Sequence, residues 1–200
     1  MSKCIQCGSY TKFENGLCYE CYKKKNKIEY EELDEFDEIG MSDTEWERRY
    51  NMIKGRIAET LIQEMFLSLK YNVFRYGMEH TVPGITDLLK GIKSDVSYQI
   101  RKMPDFVIQK GKDVFFIEVK FRANGIFKAA ELGKGYPYDN AYIIVVSKKH
   151  IKCLSVAELR EGKEITPETR NYLGNRKEFE LDKDIIVDFC EFAVSFFSEV

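Results

Sequence analysis

The stretch Pro104–Phe121, PDFVIQKGKDVFFIEVKF, is the most informative segment of this 200-residue chain. Two runs rich in apolar and aromatic residues flank Gly111, a pattern that predicts a β-hairpin. Side chains two apart in a strand share a face, so we expect Glu118 and Lys120 to point the same way, about 7 Å apart. Folding at Gly111 brings Asp105 near Glu118. We therefore expect two carboxylates and one amine on one face of a sheet.

Apolar periodicity predicts the elements around the hairpin. From Asp43 to about Lys70, apolar residues recur every four positions, which indicates an amphipathic helix. Further predicted elements are strands at 71–76 and 141–147, short helices at 86–89, 126–132 and 155–161, and a last helix at 183–198 after an Asp182 cap. The rest of 78–100 is left unassigned. This order predicts an α/β fold with a mixed central sheet flanked by helices.

The composition is that of a soluble globular protein, with 44% hydrophobic and 32% charged residues. It excludes the disordered and fibrous classes. No apolar run approaches the roughly 18 residues of a membrane span, and the polar N-terminus does not resemble a secretory signal. We therefore expect a cytoplasmic protein with reduced cysteines and no membrane association.

Four cysteines form two C-x2-C pairs separated by ten residues: Cys4, Cys7, Cys18 and Cys21. This spacing is typical of a structural Zn²⁺ held by four thiolates, and the segment resembles zinc-ribbon and treble-clef-like fingers. Disulfides, a redox pair and bound iron are the alternatives. We predict a zinc finger over residues 1–28, which needs its metal to fold because so short a unit buries little apolar surface.

An acidic segment follows the finger. Residues 29–47 hold ten acidic residues and no basic one, between a basic head and a mildly basic body. We predict a linker at 29–41 and a second domain at 42–200. Our hypothesis is that the linker shields a nucleic-acid site when substrate is absent, because its charge complements a basic surface.

The acids of the hairpin suit a hard divalent cation, since carboxylates such as Asp105 and Glu118 supply the oxygen ligands that Mg²⁺ prefers. Lys120 could orient a water, help deprotonate it, or stabilise charge on a phosphate. Glu59, at the margin of the apolar stripe of the first helix, could reach the same cation. Gly55 costs that helix about 1 kcal/mol relative to Ala. Close approach of the sheet or of substrate would be a reason to keep it.

The combination of Gly55-x3-Glu59, Pro104-Asp105 and Glu118-Val119-Lys120 resembles the PD-(D/E)xK nuclease superfamily over residues 42–147. The resemblance implies a restriction-endonuclease-like core and a metal-dependent phosphodiesterase that acts usually on DNA. It implies Asp105 and Glu118 as ligands of Mg²⁺ or Mn²⁺, with the Val119 carbonyl as a further ligand. Lys120 would be the catalytic lysine and Glu59 the helix acid. The insert at 78–102 is longer than a minimal member needs, so the subfamily stays open.

Basic residues near these motifs are candidate contacts to nucleic acid. They are Lys23, Lys24 and Lys25 in the finger, and Arg101, Lys102, Arg122 and Lys128 near the hairpin. A solvated surface explains these charges equally well. Glu-x-Lys triplets are also frequent on exposed strands. The alternative is therefore a catalytically inactive nuclease-fold module that binds nucleic acid or protein.

Aromatic, histidine and cysteine residues outside these motifs are weaker candidates. Tyr136 and Tyr138 either stack on a base or pack in the core, and we favour packing. We assign His80 to a loop, and Cys153 and Cys190 to the core as small apolar residues. Phenylalanines of the last helix that stay exposed would suit a homodimer.

Overall fold

The computed structural model of the protein describes residues 2–11, 16–18, 20–21, 42–78, 82 and 84–198. They belong to two compact units, residues 1–49 and 50–200. In the first unit, strands β1 (Ser2–Lys3) and β2 (Tyr10–Thr11) pair antiparallel. Several predictions fall outside the described residues, namely the linker at 29–41 and the roles of Lys23, Lys24, Lys25 and His80.

The second unit is an α/β structure built on a five-stranded mixed sheet. In spatial order its strands are β3 (Asn72–Arg75), β4 (Phe106–Lys110), β5 (Asp113–Phe121), β6 (Ala141–Val146) and β7 (Ile151–Ser155). β5 and β6 run parallel, and the other neighbouring pairs run antiparallel. β4 and β5 form the predicted hairpin, turning at Gly111 with a φ of 60°, which glycine adopts without strain. The predicted mixed sheet is confirmed.

Helices cover both faces of this sheet. They are α1 (Asp43–Ser68), α2 (Ile85–Leu88), α3 (Asp95–Arg101), α4 (Val156–Arg160) and α5 (Lys183–Ser198). On one face, α1 and α5 pack against Ile117 and Val119 of β5. On the other face, α4 and a 3₁₀ turn at Ala129–Leu132 pack against β6. Because strand side chains alternate, Glu118 and Lys120 project from this second face.

Two long helices begin where the sequence predicted. The Asp182 carboxylate accepts hydrogen bonds from the backbone N–H groups of Asp184 (2.9 Å) and Ile185 (3.4 Å) and so caps α5. The apolar stripe of α1 is buried from Ala58 onward, whereas Ile53, near the start of the helix, is 51% exposed. Within the described part of the chain, none of the helices combines the length and apolar character that crossing a membrane requires.

Three local predictions differ from the structure. Residues 126–132 were predicted as a helix, but Phe127 forms an antiparallel bridge with Ile165, and the segment turns helical only at Ala129. The second helix of the insert, α3, was missed although Ser94 caps it by accepting from the Ser97 N–H. Strand β7 was missed as well, because Lys152 interrupts its apolar run.

Candidate active site and four-cysteine cluster

Asp105 precedes β4 and lies across from Glu118 on β5. Phe106 is opposite Ile117, so continuing the register by one residue pairs the two acids. Oδ2 of Asp105 accepts a hydrogen bond of 2.6 Å from the Val119 N–H. Both acids are buried, with 6% of Asp105 and 9% of Glu118 exposed. The hairpin therefore brings the two carboxylates together on one face of the sheet, away from open solvent.

The ionised form of Asp105 is destabilised by its surroundings. Burial raises its pKa well above the usual range, and the negative charges of Glu118 and Glu59 raise this pKa further. The charge of Lys120 and the hydrogen bond from the Val119 N–H act in the opposite direction. The charges of Glu118, Lys120 and Glu59 thus all act on Asp105. A divalent cation would relieve the repulsion between the acids, and carboxylate oxygens are ligands that such an ion accepts.

Lys120 forms a salt bridge with Glu118 on the same face of β5. Burial acts to lower the pKa of its ammonium group, but the charges of Glu118 and Asp105 more than offset this, and the net direction is upward. Lys120 is therefore protonated at neutral pH and acts as a hydrogen-bond donor and a positive charge. Of the three roles considered for this residue, the electrostatics favour charge stabilisation over proton abstraction.

A groove of about 590 Å³ opens beside these residues. Gly55 and Glu59 of α1 form one wall, and Val119 and Lys120 of β5 form part of the other. Glu59 is also the α1 acid whose charge raises the pKa of Asp105. A Cβ atom on Gly55 would meet no atom within 4 Å, so the expected close approach of the sheet to Gly55 was wrong. The glycine instead leaves open space along the groove.

The predicted basic contacts do not all reach this groove. Arg122 lines it, and also pairs with Glu131 over 2.8 Å. Arg101, Lys102 and Lys128 do not belong to the described residues that line the groove. Arg101 instead donates to the carbonyl groups of Leu89 and Ile92, which ties α3 to the preceding turn, and Lys128 pairs with Glu164 over 2.9 Å. Arg101 and Lys128 thus make contacts within the protein, and a contact of these residues or of Lys102 with nucleic acid stays a prediction.

Sequence reasoning missed two polar residues of α1 that line the groove, Asn51 and Lys54. Helical spacing could have identified Asn51, because Asn51, Gly55 and Glu59 follow one another at intervals of four residues and so share a face of the helix. It was overlooked because the apolar stripe of the same helix was used to place the core.

Tyr136 packs in the core as predicted, and 5% of it is exposed. Its buried hydroxyl makes no hydrogen bond to the described residues. Burial raises the pKa of this hydroxyl above its usual range, and the charges of Glu118 and Asp105 raise it further. Tyr136 therefore stays neutral near the two acids.

The four N-terminal cysteines meet in the first unit, and their Sγ atoms all lie within 4.8 Å of one another. Around a tetrahedral Zn²⁺ with Zn–S bonds of about 2.3 Å, neighbouring sulfurs are about 3.8 Å apart. Cys7 and Cys18 are 3.5 Å apart, well beyond the length of a disulfide bond, which is about 2.05 Å. The cluster is thus compatible with a structural zinc ion.

Backbone hydrogen bonds shape the first cysteine pair into a tight turn. The Gly8 N–H donates to the Cys4 carbonyl (2.9 Å), and Gly8 has a φ of 73°. Backbone N–H groups of Cys18 and Cys7 point at the Cys4 sulfur and lower its pKa to about 6. A hydrogen bond between the Cys21 thiol and the Cys7 sulfur raises the pKa of Cys21 to about 12, and burial adds to this effect. A cation among the four sulfurs would favour their thiolate forms.

In the part of the chain that the structure describes, the four thiols of the first unit form a cluster that could hold a metal ion. In the second unit, Asp105 and Glu118 lie together with Lys120, and of these acids and their neighbours Lys120 and Glu59 line the groove. No protein-family model matches the sequence, and no curated protein matches it significantly.

Proposed function

We propose that this chain is a divalent-metal-dependent nuclease that hydrolyses phosphodiester bonds in DNA. The observation that carries the proposal is the meeting of Asp105 and Glu118 with Lys120 on one sheet face, beside a groove open to solvent. Buried acids that repel one another lower the stability of the folded state, and such clusters are typical of functional sites. A phosphodiesterase uses both kinds of charge, since acids hold a metal ion and an ammonium group faces the phosphate.

Asp105, Glu118 and the Val119 carbonyl are the groups that would hold Mg²⁺ or Mn²⁺, with Glu59 contributing from α1. Such a cation lowers the pKa of a bound water and neutralises charge that develops on the phosphate. The Val119 N–H fixes the Asp105 carboxylate through Oδ2 and leaves Oδ1 for the cation. The buried surroundings strengthen each electrostatic interaction relative to water.

Lys120 acts in this proposal on the phosphate. Its ammonium group is held on the site's face by Glu118 and stays charged, so it can donate to a non-bridging phosphate oxygen. Asp105 and Glu118 would hold the metal ion, and Lys120 would donate to the phosphate from the same face of the sheet. In that position Lys120 would stabilise the negative charge that develops on the phosphate in the transition state.

The order of elements supports a restriction-endonuclease-like core. The acid-bearing helix α1 is followed by the β4–β5 hairpin with Asp105 and Glu118, and then by β6, which runs parallel to β5. The connection to β6 contains a 3₁₀ turn in place of the helix predicted at 126–132. For the first unit, the sulfur cluster and the short β1–β2 pairing support a zinc-ribbon or treble-clef-like finger. In this proposal the finger helps to hold the substrate or a partner.

The test is a cleavage panel with labelled single-stranded, duplex, flap and four-way DNA and with RNA, each with Mg²⁺, with Mn²⁺ and with EDTA. We expect metal-dependent cleavage of at least one DNA, and a loss of about 10²-fold or more in Lys120→Met. Lys112→Met is the matched control, because Lys112 is exposed at the far end of the same hairpin. Full activity of Lys120→Met would refute the proposal. Tight binding of DNA without any cleavage would favour the non-catalytic alternative.

A further inference from the structure

A second cavity lies beside the candidate active site, on the other side of the turn at 122–125. Its volume is about 250 Å³, and it shares Ala123 and Asn124 with the groove. The turn is closed by a hydrogen bond of 2.9 Å from the Gly125 N–H to the Arg122 carbonyl, with Gly125 at a φ of 67°. The cavity and the groove are therefore two compartments separated by one short turn.

Three lysines, Lys148, Lys149 and Lys152, line the cavity together with His150. Burial and the charges of Lys152 and Lys149 lower the pKa of His150, so its ring is neutral at neutral pH. Among the described residues that form its walls, none carries a carboxylate. Asn124 and Ser147 add polar groups, and Ile165 and Pro167 form an apolar part. Such a lining repels cations and suits an anion of small size.

Lys152 is the least expected of these residues, because it is only 3% exposed. Its ammonium group donates to the carbonyls of Thr166 (2.6 Å), Pro167 (2.9 Å) and Thr169 (2.7 Å). These bonds satisfy its donors and tie down the loop. Burial lowers the pKa of this ammonium group, and the charge of Glu168 acts in the opposite direction. A buried charge that is only partly neutralised costs free energy, which an anion in the cavity would offset.

The sheet aligns this cavity with Lys120. Lys120 on β5 is opposite Val145 on β6, and Val145 is opposite Lys152 on β7. All three project from the same face, and two strand spacings separate Lys120 from Lys152 by about 10 Å.

We infer that this cavity, lined by Lys148, Lys149, His150 and Lys152, binds a phosphate group of the nucleic-acid strand near the phosphate at Lys120. The inference rests on the proposed function for the identity of the ligand. The cationic lining itself is independent of catalysis. A bound phosphate would fix the register of the strand in the groove, since backbone contacts set position on the substrate.

The first test uses inorganic phosphate and nuclear magnetic resonance. His150 lines the cavity beside Lys149 and Lys152, and the chain holds one other histidine, His80, so the ring signals are simple to assign. We expect phosphate to shift the His150 ring signals to saturation. The Lys148→Ala, Lys149→Ala double variant should abolish this shift. A shift that does not saturate, or that persists in the double variant, would overturn the inference.

The second test measures binding of a DNA duplex without cleavage, in Ca²⁺ or EDTA, as a function of salt. The double variant should bind about tenfold more weakly, because a hydrogen bond to a charged group is lost. The slope of log K against log salt should fall by about 0.9 for each phosphate contact removed. The control is the double variant Lys112→Ala, Lys177→Ala, which removes the same charge from exposed positions outside the cavity. It should change the DNA affinity and the salt slope by less than the cavity variant does. Equal losses in both double variants would overturn the inference.

The two proposals fail in different ways. Duplexes that end in a 5′-phosphate or a 5′-hydroxyl show which kind of phosphate the cavity binds. If it binds a terminal phosphate, the 5′-phosphorylated duplex binds more tightly. If it binds an internal phosphodiester, both duplexes bind with equal affinity. Saturable phosphate binding without cleavage of any substrate would overturn the nuclease and support the anion site. Cleavage without a saturable shift of His150 would do the reverse.

Discussion

Replacing Gly55 by alanine should stabilise the second unit and impair the groove. Gly55 lies inside α1, where glycine costs about 1 kcal/mol relative to alanine. An added Cβ would meet no atom within 4 Å, so no clash offsets this gain. For a chain of this size, 1 kcal/mol raises Tm by about 2–4 °C. The methyl group would stand at the wall that Gly55 shares with Glu59, where the proposed substrate lies.

Thermal unfolding and cleavage rate together test this prediction. We expect Gly55→Ala to raise Tm while lowering kcat/KM by several-fold, since about 1 kcal/mol of lost substrate contact corresponds to about fivefold. Ser195→Ala is the control, because Ser195 is exposed on α5 and the change also raises helix propensity, by up to about 0.7 kcal/mol. It should stabilise without loss of activity. A lower Tm for Gly55→Ala would contradict the open space beside Gly55. A higher Tm with full activity would contradict the binding of substrate in the groove.

Two further predictions concern stability, and a third concerns metal binding. Burial acts to raise the pKa of Glu158, but hydrogen bonds from Arg176 and the Ser155 N–H lower it from 4.5 to about 2. Its contribution is therefore complete above about pH 4.5 and lost as pH falls towards 2, and Glu158→Gln should flatten the pH dependence of urea unfolding in that window. Phe66→Ala removes a fully buried ring packed against Phe179 and should cost about 3–5 kcal/mol in the same assay, whereas an effect under 1 kcal/mol would contradict the core described above. Co²⁺ bound in place of zinc should show thiolate charge-transfer absorption that Cys18→Ser weakens, and an unchanged spectrum would argue against the sulfur cluster as a metal site.

Local signals were sufficient to predict the elements that carry the site. Gly111 between two apolar runs fixed the hairpin, and the spacing of Asp105 and Glu118 then determined that they face each other. The Asp182 cap and the apolar run after it placed the last helix at 183–198. In these cases the turn or cap chemistry and the residue pattern agree, so little depends on the rest of the fold.

Elements that depend on distant partners were not predictable in this way. Phe127 is extended because it pairs with Ile165, nearly forty residues later, and this pairing overrides the helical pattern of 126–132. Ile53 belongs to the apolar stripe of α1, yet the sheet covers this helix only from Ala58 onward. The cavity lined by lysines was not predicted for the same reason. The order of strands β5, β6 and β7 places Lys152 beside the turn at 122–125, and this order depends on the whole sheet.

The most direct test of the proposed site is a titration with Mn²⁺ followed by electron paramagnetic resonance. Asp105→Asn keeps the shape of the side chain and an oxygen for the Val119 N–H but removes one negative charge from the acid cluster. Asp113→Asn makes the same change at the exposed far end of the hairpin. We predict that wild type and Asp113→Asn bind Mn²⁺ at a saturable site and that Asp105→Asn loses it. Equal Mn²⁺ binding by all three proteins would contradict a catalytic metal at Asp105 and Glu118.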